Sequence, residues 1–300
     1  MSARGLCLCA LFLLLAAAVS CARPEPADRT LVATIPPLGA ILRELAQGRA
    51  EVKTLLKPGA SPHTYEPSPS DAKAAETALG LFFVDSSVDG WATRLAQDER
   101  IGVFVLLPEE LKLRVVAGRH PEGIQEHDLN QAAQDAHFWT SPRAVKALLP
   151  ALTQELSRLD PGGASIYREN ADKFAAKLDA LDAEVGALLA PVKGESVLLF
   201  HPSFQYLLMD YGLNVAAVVE PSPGKEPTPR LIADLAELAR EQHLKAVFTE
   251  PQLPEAPVRV ISEEAHLPVF ALDPLGGQPG RDTYEAMVRY NAQTLAEALQ

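Results

Sequence analysis

The chain has 300 residues, 47% of them hydrophobic and 22% charged, which is the make-up of a folded globular protein and excludes a disordered or fibrous one. Its formal charge of −12, from 39 acidic against 27 basic side chains, sets the average surface against a phosphate backbone, so no nucleic-acid partner is expected. The longest apolar run, Leu6 to Val19, is about 14 residues, too short to cross a bilayer but right for the hydrophobic region of an export signal.

Arg4 stands ahead of that run and Ala18-Val19-Ser20-Cys21 closes it, so residues 1–21 are expected to form a signal peptide. Cys7 and Cys9 leave with it. Cys21 is then the only thiol of the mature chain, and no intramolecular disulfide framework can form. Small residues directly before Cys21 have the form of a lipoprotein cleavage box, although Ala18 fits its first position less well than Leu. In that case Cys21 is acylated and holds a soluble domain at a membrane surface; the alternative is ordinary cleavage near Ala22, with Cys21 discarded.

Beyond the leader, short β-rich runs alternate with amphipathic stretches. The first four strands are expected at Thr30 to Ile35, Glu51 to Leu56, Leu79 to Val84 and Gly102 to Leu107, with helices at Leu38 to Gln47, Ser70 to Ala78 and Gly90 to Gln97. A helix over Pro142 to Arg158 follows, and Asp160-Pro161-Gly162-Gly163 breaks the chain after it. From Ser165 to Leu189, Ile166, Phe174, Leu178, Leu181, Val185 and Leu188 recur at helical spacing, which predicts one helix of about 38 Å at 1.5 Å per residue. Four more strands are expected at Ser196 to Phe200, Asn214 to Val219, Lys245 to Thr249 and Val269 to Leu272, with helices at Pro229 to Gln242 and Asp282 to Leu299. The predicted fold is α/β: two lobes, residues 29–160 and 195–300, each with a four-stranded mainly parallel sheet flanked by helices, joined by one long helix over 164–190.

Open parallel sheets bind ligands beyond the carboxyl ends of their strands. His63 follows the second expected strand, His201 the fifth and Asp273 the eighth, while His137 lies directly ahead of the helix beginning at Pro142. Three imidazoles and a carboxylate, two from each lobe, make a four-coordinate set of the kind zinc prefers. Glu220 and Glu250 also follow strands, as groups that orient an imidazole or as supports for the interlobe loops. His243 and His266 end predicted helices and are read as caps, and His120 and His127 occupy a polar loop over Gly118 to Gln134.

At these residues the sequence resembles the zinc and manganese class of ABC-transporter substrate-binding proteins, the ZnuA- and TroA-like family, over nearly the whole mature chain. Pro62-His63-Thr64-Tyr65-Glu66-Pro67-Ser68-Pro69-Ser70-Asp71 is close to the family's first-ligand motif. Ala136-His137-Phe138-Trp139-Thr140-Ser141-Pro142-Arg143 resembles the second, with Ala136 where Pro is usual and Ser141 where Asp is usual. His201-Pro202-Ser203 stands at the third position in place of the commoner His-Asp-Ala, and Phe248-Thr249-Glu250-Pro251-Gln252 and Leu272-Asp273-Pro274-Leu275-Gly276 are similar to the last two landmarks. The resemblance implies metal ligands His63, His137, His201 and Asp273. It also implies Zn2+ as the carried ion, the transmembrane subunit of an ABC permease as partner, and a monomer at the periplasmic or outer cell surface. Manganese-favouring members commonly carry Glu at the third position, where this chain has His201, and imidazole suits zinc. Zinc-specific members often add a long His- and Asp-rich loop, whereas Gly118 to Gln134 offers only His120 and His127.

Two other functions compete. A manganese or iron carrier of the same family would need a more oxygen-rich site. A zinc hydrolase would need an open fourth position and a general base, yet no H-E-x-x-H run or G-x-S-x-G elbow occurs and Asp273 is expected at the open place. No enzymatic activity is expected. A surface-adhesin role would be additional, since no separate adhesive module is present.

Overall fold

The computed structural model describes residues 29–96, 102–104, 135–220 and 227–300. The expected leader with Cys21, the polar loop with His120 and His127, and the far end of the fourth expected strand lie outside the described residues.

Strands β1 (Thr30–Ala33), β2 (Glu51–Thr54), β3 (Gly80–Phe83) and β4 (Gly102–Phe104) form one sheet in the order β2-β1-β3-β4. Strands β5 (Ser196–Leu199), β6 (Asn214–Val218), β7 (Val247–Thr249) and β8 (Val269–Ala271) form a second in the equivalent order β6-β5-β7-β8. Every neighbouring pair is parallel. Leu31 stands opposite both Val52 and Gly80, and Leu198 opposite both Ala217 and Val247, with a bulge after Val197 in the β5–β6 pairing. The central strands are covered on both faces, which is why Leu31-Val32-Ala33 and Val197-Leu198-Leu199 are unbroken apolar runs, all buried.

The helices are α1 (Pro36–Ala46), α2 (Pro69–Glu76), α3 (Ser86–Asp89), α4 (Pro142–Leu159), α5 (Ala164–Leu189), α6 (Gln205–Asp210), α7 (Pro229–Glu241), α8 (Ala256–Ala265) and α9 (Tyr284–Leu299). Proline occupies the first turn of α1, α2, α4, α7 and α8, where its missing N–H removes no intrahelical bond. The long helix α5 buries Tyr167, Ala171, Phe174, Leu178, Leu181, Val185 and Leu189 along one stripe. It packs against α4, α1 and α9. One apolar cluster runs through this stripe from Leu31 in the first lobe to Leu299 in the second. Before α5, the Asp160 carboxylate accepts from Arg49 Nε and Nη2 at 2.6 and 2.7 Å and from the Tyr167 hydroxyl at 2.8 Å, tying the spine to the first lobe.

The expected strands and helices recur, with the strands whose expected span is fully described one or two residues shorter. Ladder bonds continue past some strand ends, as from Thr34 N to Phe82 O and from Leu55 N to Ala33 O, while the chain is already turning. The segment from Gly90 to Arg94 is a 3₁₀ turn rather than a full helix. The short helices α3 and α6 were not expected, and α8 was expected only as a helix ending at His266, without bounds. His266 takes a left-handed φ of 55° as the cap of α8, and His243 one of 52° just past α7, in keeping with their helix-end reading.

Candidate metal centre

Both sheets reverse their strand order beside the first strand of the lobe, so the loops leaving β1 and β3, and β5 and β7, open a crevice at the carboxyl ends. Those ends face each other across the seam between the lobes.

The loop carrying His63 is fixed over its whole length. Ser68 caps α2 in a reciprocal box with Asp71, whose Oδ2 also accepts from the Tyr65 hydroxyl at 2.8 Å. Trp91 packs on Tyr65 with ring centroids 4.9 Å apart and donates from Nε1 to Pro62 O at 2.9 Å. The half-buried His63 then donates from Nδ1 to the Ser87 carbonyl at 2.9 Å. Helix α3, which carries Ser87, is held by the buried Asp89 carboxylate. It accepts from Thr34 Oγ1 at 2.5 Å and from Val84 N and Asp85 N at 3.0 and 3.1 Å.

His137 is 7% exposed. Asp135 Oδ1 receives its backbone N–H at 2.9 Å and its Nδ1 at 2.8 Å. A 3₁₀ turn over Phe138–Thr140 follows, and Ser141 caps α4 through Ala144 N, so the Ser in place of the family's usual Asp still closes the helix. His201, 4% exposed, leaves β5 directly and its Nδ1 lies 3.3 Å from the Glu220 carbonyl.

Ser87 O, Glu220 O and the Asp135 carboxylate are acceptors, so each histidine bonds its partner through an Nδ1 hydrogen. That tautomer leaves three Nε2 lone pairs. His137 Nε2 and His201 Nε2 are 3.3 Å apart, two acceptors that attract each other only through a cation. The ring centroids of the three histidines are 4.9 to 5.6 Å apart, and a ligand atom from each lies within 4.8 Å of the others. Burial and the neighbouring imidazole push His63 down to about 4, and burial pushes His201 well below its ordinary value, so both are neutral donors at physiological pH. A cavity of about 20 Å³, room for one water-sized body, is lined by all three rings with Trp139, Ser203, Glu250 and Gln252. The donor set fits a soft-to-borderline divalent ion.

Asp273 is not a member of this group of three. It is fully buried, Oδ1 accepting from Gln252 Nε2 at 2.9 Å, Gly276 N at 3.0 Å and Leu275 N at 3.2 Å, while Oδ2 forms an ion pair with Arg281 Nη1 at 3.0 Å. Asn291 on α9 fixes its backbone from both sides, accepting from Asp273 N at 2.7 Å and donating to Asp273 O at 2.8 Å. Glu220 meets His201 through its carbonyl. Glu250 accepts from the Ser203 hydroxyl, and burial, with Asp273 and Glu220 nearby, pushes its carboxyl up to about 8.

Sequence reasoning passed over Asp135, Arg281 and the Ser87 carbonyl. The first had a signal, because a carboxylate two residues ahead of a histidine reaches its Nδ1; the other two contacts come from tertiary packing alone. The lobes are bonded at the site itself, by Trp139 Nε1 to Pro274 O at 2.7 Å and by the Tyr206 hydroxyl to Asp135 O at 3.0 Å.

The family described as zinc-uptake complex component A, periplasmic, matches residues 31–298. The chain is 30% identical over 304 residues to the high-affinity zinc uptake system protein ZnuA of Brucella abortus strain 2308, covering 90% of this chain and 91% of that protein. A crystal structure of ZnuA superposes with a TM-score of 0.78 at 26% identity, over 91% of this chain and 100% of that one. The SBP FpvC from Pseudomonas aeruginosa in complex with Mn2+ superposes with a TM-score of 0.76 at 26% identity, over 91% and 99% of the two chains.

Proposed function

The chain belongs to the periplasmic zinc-uptake complex component A family, and from that membership we propose that it captures Zn2+ between its lobes and delivers it to the transmembrane subunit of an ABC importer. The family is one of extracytoplasmic transporter substrate-binding proteins, not of enzymes. The observation that carries the choice of ion is the set of three buried or half-buried imidazoles presenting Nε2 lone pairs to one point. Three neutral nitrogens satisfy zinc, whereas manganese gains most from carboxylate oxygens. His63, His137 and His201 are the proposed donors, with Asp273 bonded to Gln252 of the cavity wall. The cleavage-box sequence supports acylation at Cys21, which would keep a monomeric carrier beside its permease.

The test is the purified chain of residues 22–300, stripped of metal and offered zinc and manganese together. One equivalent of zinc retained against excess manganese is the expected result, and His201→Ala is expected to weaken zinc binding by about a hundredfold or more. Manganese preferred by the parent chain, or equal zinc retention in His63→Ala, His137→Ala and His201→Ala, would sink the assignment.

A further inference from the structure

The Asp273 carboxylate is already engaged. Oδ1 takes three N–H donors, and Oδ2, with no directional hydrogen bond, has the Arg281 guanidinium at 3.0 Å. Arg281 is itself held: its guanidinium carbon lies 4.5 Å from the Tyr290 ring centroid, Nη2 donates to Gln278 Oε1 at 3.1 Å, and its carbonyl accepts from Gly277 N at 2.8 Å. The loop between them closes through Gly276 and Gly277 at φ of 58° and 74°, and a Cβ on Gly276 would stand 2.7 Å from Arg281 O. The loop thus folds back to set a cation on the carboxylate.

A buried carboxylate without a counterion would be strongly drawn to a metal beside it. With Arg281 in place that demand is met, and the three histidines form their group without a carboxylate oxygen. Zinc tolerates three nitrogens with a weakly held fourth ligand. Manganese loses more from the missing oxygen. Resting on the zinc-capture reading above, we infer that Arg281 is a positioning residue that withholds Asp273 from the cargo ion and thereby sets the preference for zinc over manganese.

The test compares the parent chain of residues 22–300 with Arg281→Met, Arg281→Lys and the Arg281→Met/Asp273→Asn double variant. In Arg281→Met the freed carboxylate joins the ion. Manganese affinity relative to zinc is expected to rise by about tenfold or more. The visible spectrum of the Co2+-loaded variant is expected to change shape, and the rise in Tm on adding zinc to grow. Arg281→Lys recovers most of the parent ratio, and the double variant loses the gain, which assigns it to the carboxylate. An Arg281 that only braces the loop would lower Tm equally with and without zinc and leave the metal ratio and Co2+ spectrum unchanged, which overturns the inference. Should Arg281→Met fail to fold, a crystal structure of the zinc-loaded parent decides: a closed Arg281–Asp273 pair supports the inference, and Asp273 on the metal overturns it. A parent chain that holds no zinc at all overturns the capture reading itself.

Discussion

His63, His137 and His201 are set by what stands behind them, three acceptors that turn each Nδ1 hydrogen away from the centre. The same burial gives the metal-free fold a pH signature. His63 is pushed to about 4 from an ordinary 6.5, so between those values the unfolded chain binds more protons; the stability is full above 6.5 and drains toward 4, by up to about 3 kcal/mol for this ring. Glu250 has the opposite sign. Its carboxyl is raised from 4.5 to about 8, so its contribution is fully present below 4.5 and is lost as pH rises through 8. Between pH 6.5 and 4.5 the two groups oppose each other, so each is read against its own variant: in urea midpoints of the stripped chain, Glu250→Gln is expected to gain on the parent from pH 5 to 8 and to level off above it. Parallel curves for the two chains across that range would contradict the Glu250 assignment. At this scale the histidines were legible because each lies in a Pro- or aromatic-marked turn at a predicted strand end or helix start. The partner of Asp273 was not, since Arg281 reaches it only by the return of a loop closed on two glycines.

Helix α5 carries the fold's longest apolar stripe, and Phe174 at its middle is fully buried, edge-on to Tyr284 of α9 at 6.1 Å between centroids. Removing that ring empties a site bordered by elements of both lobes. Phe174→Ala is expected to cost about 3–5 kcal/mol. Fluorescence and circular dichroism should then follow one shared urea transition, and separate transitions would mean that the lobes unfold apart. The periodicity of α5 was readable because 26 residues give seven turns of repeat. The helices α3, α6 and α8 have 4, 6 and 10 residues, too few for a convincing period, and α8 shows only Val258, Ile261 and Ala265 on its buried side. The positions of the strands were legible from their apolar runs; their lateral order was not, because a run of Val, Leu and Phe carries no label for its neighbour.

Across the whole molecule, one cluster of buried side chains is shared by the two lobes, and bonds from Trp139 and Tyr206 cross the seam beside the histidines. Wide opening would have to break both. Small-angle scattering of the stripped and zinc-loaded chains is expected to give superimposable profiles, and a clear compaction on loading would show a hinge where none is drawn. The two-lobed plan could be read from the grouping of strands into two fours, whereas the continuity of the core across them could not, because it depends on which faces of α4, α5 and α9 meet. Arg143 Nη1 also reaches the Asp210 carbonyl across the seam at 2.8 Å, so the stretch from Asp135 to Arg143 is stitched to the second lobe while His63 rides on the first. If the chain carries zinc as proposed, that division bears on how the ion would leave. Metal–ligand distances tolerate only about 0.2 Å of error. A small sliding of one lobe past the other, transmitted along the stiff rod of α5, would drag His63 out of register with His137 and His201 without the jaws ever parting. On the proposed transport reading, unloading would then call for turning one lobe against the other rather than prising the two apart.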